Sequence, residues 1–142
     1  MRTRSFTENR WAVAMVETRK RVLVVDDASL VRLYYRKALE DAGFDVLEAL
    51  NGLEALEILT ADPVDLLIVD VNMPRMDGVT FLKTLRQKEL PLASIPALVT
   101  STEGAAQDFA AARAAGANFY LTKPVSQVKL VEFSSLLCGR LR

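Results

Sequence analysis

The sequence predicts an α/β fold, a parallel sheet doubly wound by helices, and two observations carry that prediction. Short apolar runs rich in β-branched residues alternate five times with longer segments whose apolar residues recur at helical spacing. Four of the five runs are closed or followed by polar residues: Asp26-Asp27, Asp70, Thr100-Ser101-Thr102 and Lys123. In a parallel sheet those ends share one edge, where open α/β sheets place their ligands.

Taken in order, Arg21 to Val25 reads as a buried strand ending on the Asp pair. From Ser29 to Ala42, Val31, Tyr34 or Tyr35, Ala38 and Ala42 mark one buried helical stripe, and Gly43 stops it. Asp45 to Ala49 is a weak strand. Asn51 to Thr60 is a second helix on Leu53, Leu56 or Ile58, and Leu59. Pro63 then leads into Leu66–Asp70, an apolar run suited to a strand buried on both faces. Met73-Pro74 forbids immediate helix, because the residue before proline avoids the helical region. Asp77-Gly78 closes the loop and can cap the third helix, Val79 to Lys88, with Leu82 and Leu85 inward.

Glu89 to Ser94 holds Pro91 and reads as a loop. Ile95 to Thr100 is the fourth strand, with Pro96 tolerable at its start. Glu103 to Ala115 is an alanine-rich helix closed by Gly116, and Ala117 to Thr122 is the fifth strand. Lys123-Pro124 breaks it. Ser126 can cap a last helix running to Cys138, with Leu130, Phe133 or Ser134, and Leu137 inward. Residues 1 to 20 precede the first strand and form no clear element; they read as a poorly ordered amino-terminal extension, with 21–142 as the domain. Trp11 to Val16 is too short to span a membrane, and Met15 is a candidate natural start.

At 142 residues the chain is large enough for one core and too small for two. Eighteen basic and eighteen acidic residues cancel, so nothing draws it to nucleic acid or to an anionic membrane surface. Cys138 is alone, so no disulfide forms within the chain, which suits the cytoplasm. There is no histidine, so no imidazole can ligate metal or carry a phosphoryl group here. That chemistry falls to carboxylates, lysine and hydroxyls, or to a partner.

Two carboxylates about 4 Å apart repel by roughly 4 kcal/mol at an effective dielectric near 20. Three gathered at one sheet edge demand a cation, and an all-oxygen donor set selects a hard ion such as Mg²⁺. A metal beside a carboxylate, a lysine and a hydroxyl suits phosphoryl transfer, with Asp70 as nucleophile forming an aspartyl-phosphate.

These residues resemble the receiver domain of bacterial response regulators, and the single-domain, CheY-like chemotaxis regulators above all. The resemblance covers about residues 20 to 138. It rests on Val24-Val25-Asp26-Asp27-Ala28-Ser29, Asp70-Val71-Asn72-Met73-Pro74-Arg75-Met76-Asp77-Gly78, Ser101-Thr102-Glu103-Gly104, Ala115-Gly116-Ala117-Asn118 and Lys123-Pro124, in family order and spacing. It implies a flavodoxin-like sheet of order 2-1-3-4-5 with five helices. It further implies that Asp70 accepts a phosphoryl group from a histidine kinase or histidine phosphotransfer protein. Asp27, Asp70 and the Asn72 carbonyl would bind Mg²⁺ with Asp26 assisting. Lys123 would contact the phosphoryl group, next to a cis Lys123–Pro124 bond.

By family spacing the switch hydroxyl is Ser101 rather than Thr100, and the switch aromatic is Tyr120. Asn72 and Glu103 fall where the family tunes phosphoryl lifetime. The fourth helix, fifth strand and fifth helix would form the partner face, through Phe109, Tyr120, Thr122, Val125 and Val128. The expected protein is a monomer or weak dimer, not a conventional enzyme, whose signal leaves by protein contact. Competing readings are a phosphatase of the haloacid dehalogenase type, which wants an acid where Asn72 stands, a flavin binder of the same topology, and a receiver that only binds partners.

Overall fold

A computed structural model describes residues 19–139; the expected amino-terminal extension and the chain's last three residues lie outside the described residues, apart from Arg19 and Lys20. Five strands, β1 (Arg21–Val25), β2 (Asp45–Ala49), β3 (Leu66–Asp70), β4 (Ala97–Ser101) and β5 (Phe119–Thr122), pair in parallel in the order β2-β1-β3-β4-β5. Helices α1 (Ser29–Asp41), α2 (Gly52–Ala61), α3 (Gly78–Arg86), α4 (Ala106–Ala115) and α5 (Gln127–Leu137) connect or follow them. This is the CheY-like, flavodoxin-like order expected from the resemblance.

Side-chain alternation along the strands separates two cores. Leu23, Val25, Leu67, Val69, Ala97 and Val99 face α2, α3 and α4, meeting Ala55, Leu59, Phe81, Leu82, Leu85, Ala112 and Ala115. Val22, Val24, Leu66, Ile68 and Leu98 face α1 and α5, meeting Tyr35, Ala38, Leu39 and Leu130. Every residue of β3 and β4 is buried, as their continuous apolar runs require.

Local chemistry sets the helix ends. Asn51 Oδ1 accepts from the Glu54 N–H, Asp77 Oδ1 from the Thr80 N–H and Ser126 Oγ from the Lys129 N–H. Gly116 ends α4 at φ 109°, in the left-handed region.

Several boundaries differ from the sequence reading. In α1 there is no departure: of the two tyrosines left open, Tyr35 is the buried one and Tyr34 is exposed. In α2, the inward residues are Gly52, Ala55 and Leu59, and Leu53 faces out at 46% exposure. Strand β4 starts after Pro96 and extends through Ser101. A short 3₁₀ turn, Leu92–Ser94, lies within the expected loop. Helix α4 starts at Ala106, not Glu103, because side chains occupy the Glu103 backbone. Ser101 Oγ accepts the Glu103 N–H at 3.0 Å, and the Tyr120 hydroxyl donates to the Glu103 carbonyl at 2.8 Å.

Candidate functional site

The carboxyl ends of β1, β3, β4 and β5 converge. Asp70 is the register partner of Thr100, and Ser101 of Thr122, so these ends lie level across the sheet. Asp26, Asp27 and Asp70 each offer a carboxylate oxygen, all within 4.8 Å of one another. Asp26 and Asp70 are buried at 1% and 6% exposure, whereas Asp27 faces solvent. The Lys123 ammonium reaches in from beyond β5, 2.9 Å from Asp26 Oδ2 and 3.4 Å from Asp70 Oδ1. Its backbone is fixed too: the Lys123 N–H donates to the Ser101 carbonyl at 2.7 Å, and the Lys123–Pro124 bond is cis.

The loop after β3 curls back over the site. The Val71 N–H donates to the Thr100 carbonyl at 3.0 Å, and the Gly78 N–H to the Val71 carbonyl at 2.9 Å. Arg75 turns the loop at φ 74°, a conformation costly for a side-chain-bearing residue. Gly78 is required by close approach, since a Cβ there would lie 2.4 Å from the Asp70 carbonyl oxygen. The Asn72 N–H points at Asp70 Oδ1, 3.4 Å away. Asp26 Oδ1 in turn accepts the Ala28 N–H at 2.9 Å, and the Asp26 carbonyl accepts from Arg32 Nη1 at 2.7 Å.

Charge is out of balance in this cleft. Burial, then the neighbouring Asp26 carboxylate, push Asp70 up to about 6, with Lys123 and the Asn72 N–H offsetting only part of this. Burial opposes the Lys123 ammonium, but Asp26 and Asp70 outweigh it and hold Lys123 above the usual lysine range. One ammonium against three acids leaves room for a further cation. The donors are all oxygen, with no imidazole or thiolate near, which fits a hard divalent ion and not a soft one. Asp26, Asp27 and Asp70 would hold it, and Asn72 lies on the loop that adjoins them.

The other expected residues fall around this centre. Ser101 is fully buried and bonded to the Glu103 N–H. Tyr120 is partly exposed, and Phe109 meets its ring edge-to-face with centroids 4.2 Å apart. Phe109 is 39% and Val128 75% exposed, and Thr122 faces solvent. Val125 corrects the expectation. At 6% exposure it packs in the α1/α5 core, so it backs the surface and no partner can touch much of it.

Two polar residues beside the site were not singled out from sequence. In the sequence Tyr35 is one of two alternatives in a helical stripe, and Thr100 is the neighbour of the favoured hydroxyl Ser101. The signal for both was a polar atom in an otherwise apolar stripe. It could be weighed only once the strand register was known.

The family model for the response regulator receiver domain matches residues 22–134. The chain is 41% identical over 111 residues to the sensor histidine kinase CheAY of Helicobacter pylori, covering 74% of this chain and 13% of that protein. It is 39% identical over 114 residues to the transcriptional regulatory protein PrrA of Mycobacterium tuberculosis, covering 80% and 48%. The chain thus spans less than half the length of these curated relatives. Among solved structures, the chemotaxis protein CheY4 of Vibrio cholerae superposes with TM-score 0.79 at 32% identity, covering 84% of this chain and 99% of that one. The Francisella response regulator 1452 receiver domain gives TM-score 0.78 at 28% identity, covering 84% and 97%. Among the described residues no helix is long and apolar enough to cross a membrane. With the acid triad, the lysine and the sheet order in place, the family match is decisive: the chain belongs to the response regulator receiver domains of two-component signalling.

Proposed function

We propose that Asp70 accepts a phosphoryl group from a phosphohistidine of a histidine kinase or histidine phosphotransfer protein, with Mg²⁺, and that this modification resets a protein-binding face. The observation that carries the reading is Asp70 itself, buried between two further carboxylates and 3.4 Å from the Lys123 ammonium. An Asp70 oxygen attacks phosphorus, the bond from phosphorus to the donor's imidazole nitrogen breaks, and that nitrogen keeps the electron pair. These 142 residues hold no histidine, so the donor group lies outside them, on a protein or a small phosphodonor. Lys123 orients Asp70 and takes up charge from the incoming phosphoryl oxygens. Bound Mg²⁺ would neutralise the remaining charge on the acids and the phosphoryl group.

A phosphoryl group brings about −1.5 to −2 charges and three acceptor oxygens. Ser101 then turns from accepting the Glu103 N–H to donating to phosphorus-bound oxygen. That frees the Glu103 loop, and with it Tyr120 and Phe109. Moving an output state from 1% to 99% takes about 5.5 kcal/mol. A few charge-assisted hydrogen bonds in a buried cleft supply that order of energy. Phe109, Tyr120, Thr122 and Val128 would present the result to a downstream partner. Asn72 and Glu103 border the cleft and would set how long the modification lasts.

The test is incubation with acetyl phosphate and Mg²⁺, followed by intact mass. Wild type should gain about 80 Da in hydroxylamine-labile form, the mass of one phosphoryl group, and Asp70→Asn should not. Equal adducts on both proteins would place the chemistry elsewhere. For the face, Phe109→Ala should weaken phosphorylation-dependent partner binding while leaving the adduct intact.

A further inference from the structure

The pleat sends the two adjacent hydroxyls at the end of β4 to opposite layers. Ser101 lies on the side of Val99 and α4, and Thr100 on the side of Leu98 and α1. Thr100 is also the register partner of Asp70, so the two side chains stand side by side on one face of the sheet. Its Oγ1 is buried, with no hydrogen bond of good geometry. The polar group facing it is the hydroxyl of Tyr35, carried on α1 by a ring only 3% exposed. That hydroxyl is within electrostatic reach of Lys123, Asp26 and Asp70. Tyr35 and Lys123 also border the same cavity of about 490 Å³, with Pro124, Val125 and Thr102.

The surrounding layer is built from Val22, Val24, Leu39, Ile68, Leu98 and Leu130. A phenol and a threonine hydroxyl are costly additions to such a layer unless they satisfy each other or a neighbour. Phe and Val would fill the same space without that cost. The two hydroxyls sit where the reacting carboxylate and its lysine are, and this placement gives them a use.

We propose that Tyr35, acting through Thr100, is a positioning residue for phosphoryl transfer to Asp70, holding the Lys123 ammonium where it serves that carboxylate. This rests on the reading of Asp70 as phosphoacceptor. Lys123 is shared between Asp26 at 2.9 Å and Asp70 at 3.4 Å, so its default lean is toward Asp26. The unpartnered Thr100 hydroxyl, beside Asp70, and the Tyr35 hydroxyl, on the cavity that Lys123 also borders, are placed to take up the ammonium as it shifts toward Asp70 when the phosphoryl group arrives. Mg²⁺ affinity is set by the acids and is not part of this role. The pair acts as one unit, since the Tyr35 hydroxyl lies close enough to Thr100 to interact with it.

The experiment measures the rate of adduct formation from acetyl phosphate and the Mg²⁺ concentration giving half the maximal rate. The variants are Tyr35→Phe, Thr100→Val, their double variant and Thr100→Ser, with urea midpoints read alongside. Tyr35→Phe and Thr100→Val should each lower the rate about three- to tenfold, the scale of a modest misplacement. The half-maximal Mg²⁺ concentration should stay within about twofold. The double variant should fall no further, and Thr100→Ser should keep the wild-type rate. Wild-type rates in both single variants would overturn the proposal. So would a rate loss that moves with the Mg²⁺ midpoint, or one that follows the urea midpoint and is not spared in Thr100→Ser. Wild-type protein that takes up no adduct sinks the phosphoacceptor reading, and this proposal with it.

Discussion

Replacing Asp70 by Asn should stabilise the metal-free protein at neutral and alkaline pH, although it removes a buried ion-pair partner. The Asp70 carboxyl is raised from 3.8 to about 6 by burial and by Asp26. A carboxyl raised in the folded state binds its proton more tightly there than in the unfolded chain. It therefore contributes stability that is full below about pH 4 and is lost as pH rises through about 6. Two pH units at about 1.4 kcal/mol each make the ionised Asp70 a burden of about 3 kcal/mol at pH 8. An amide resembles the protonated acid in shape and charge and never takes on that burden.

Urea unfolding in chelator, at pH 4.5 and pH 8, reads the difference directly. Groups remote from the site titrate alike in both proteins and cancel, and the coupling of Asp70 to Asp26 and Lys123 is already contained in its shift. The advantage of Asp70→Asn should grow from about 1 kcal/mol at pH 4.5 to about 3 kcal/mol at pH 8. With a denaturant slope of about 1–3 kcal/mol per molar, that shifts the midpoint by about 1–3 M at the higher pH. Adding Mg²⁺ at pH 8 should raise the wild-type midpoint and narrow the gap, because binding to the folded state stabilises it. A variant less stable than wild type at pH 8, or a gap that does not change with pH, would refute the reasoning.

Three further substitutions probe the frame that holds the site. Gly78→Ala places a Cβ 2.4 Å from the Asp70 carbonyl oxygen, a backbone atom that cannot step aside cheaply, so it should cost about 1–3 kcal/mol in urea unfolding and lower the adduct yield. Arg86→Ala removes bonds to the Gly116 carbonyl at 2.6 and 3.0 Å, the Ala93 carbonyl at 3.1 Å and the Ile95 carbonyl at 2.6 Å. Arg86 ties α3 to the entries of β4 and β5, and its loss should cost about 2–4 kcal/mol by thermal or urea unfolding, with Arg86→Lys recovering only part. Asp77→Ala deletes the cap on the Thr80 N–H and should cost about 1 kcal/mol, a smaller shift in the same assay.

Much of the fold was legible because periodicity reports burial. Two-sided strands such as Leu66–Asp70 must be apolar throughout, and one-sided helices such as Val79–Lys88 show their stripe. The misread stretches are those where burial and hydrophobicity part company. In α2 the inward face begins with Gly52 and Ala55 ahead of Leu59, because Met76 and Phe81 press against Gly52 and leave no room for a larger side chain there. Helix α4 begins late because Ser101 and Tyr120 claim the Glu103 backbone, a long-range competition invisible in a local window. Val125 looks like a surface residue after a loop, and only packing against α1 buries it.

The sequence by itself determined the alternation of strands and helices, the acids and lysine at their ends, and a resemblance specific enough to number the site. Those are properties of composition along the chain, where residue type and spacing suffice. Tertiary structure decided that Asp26 and Asp70 are buried while Asp27 is exposed, which neighbour Lys123 leans on, and that Thr100 and Ser101 face opposite layers. These depend on register and on the dielectric around each group, and both arise only when distant segments pack together.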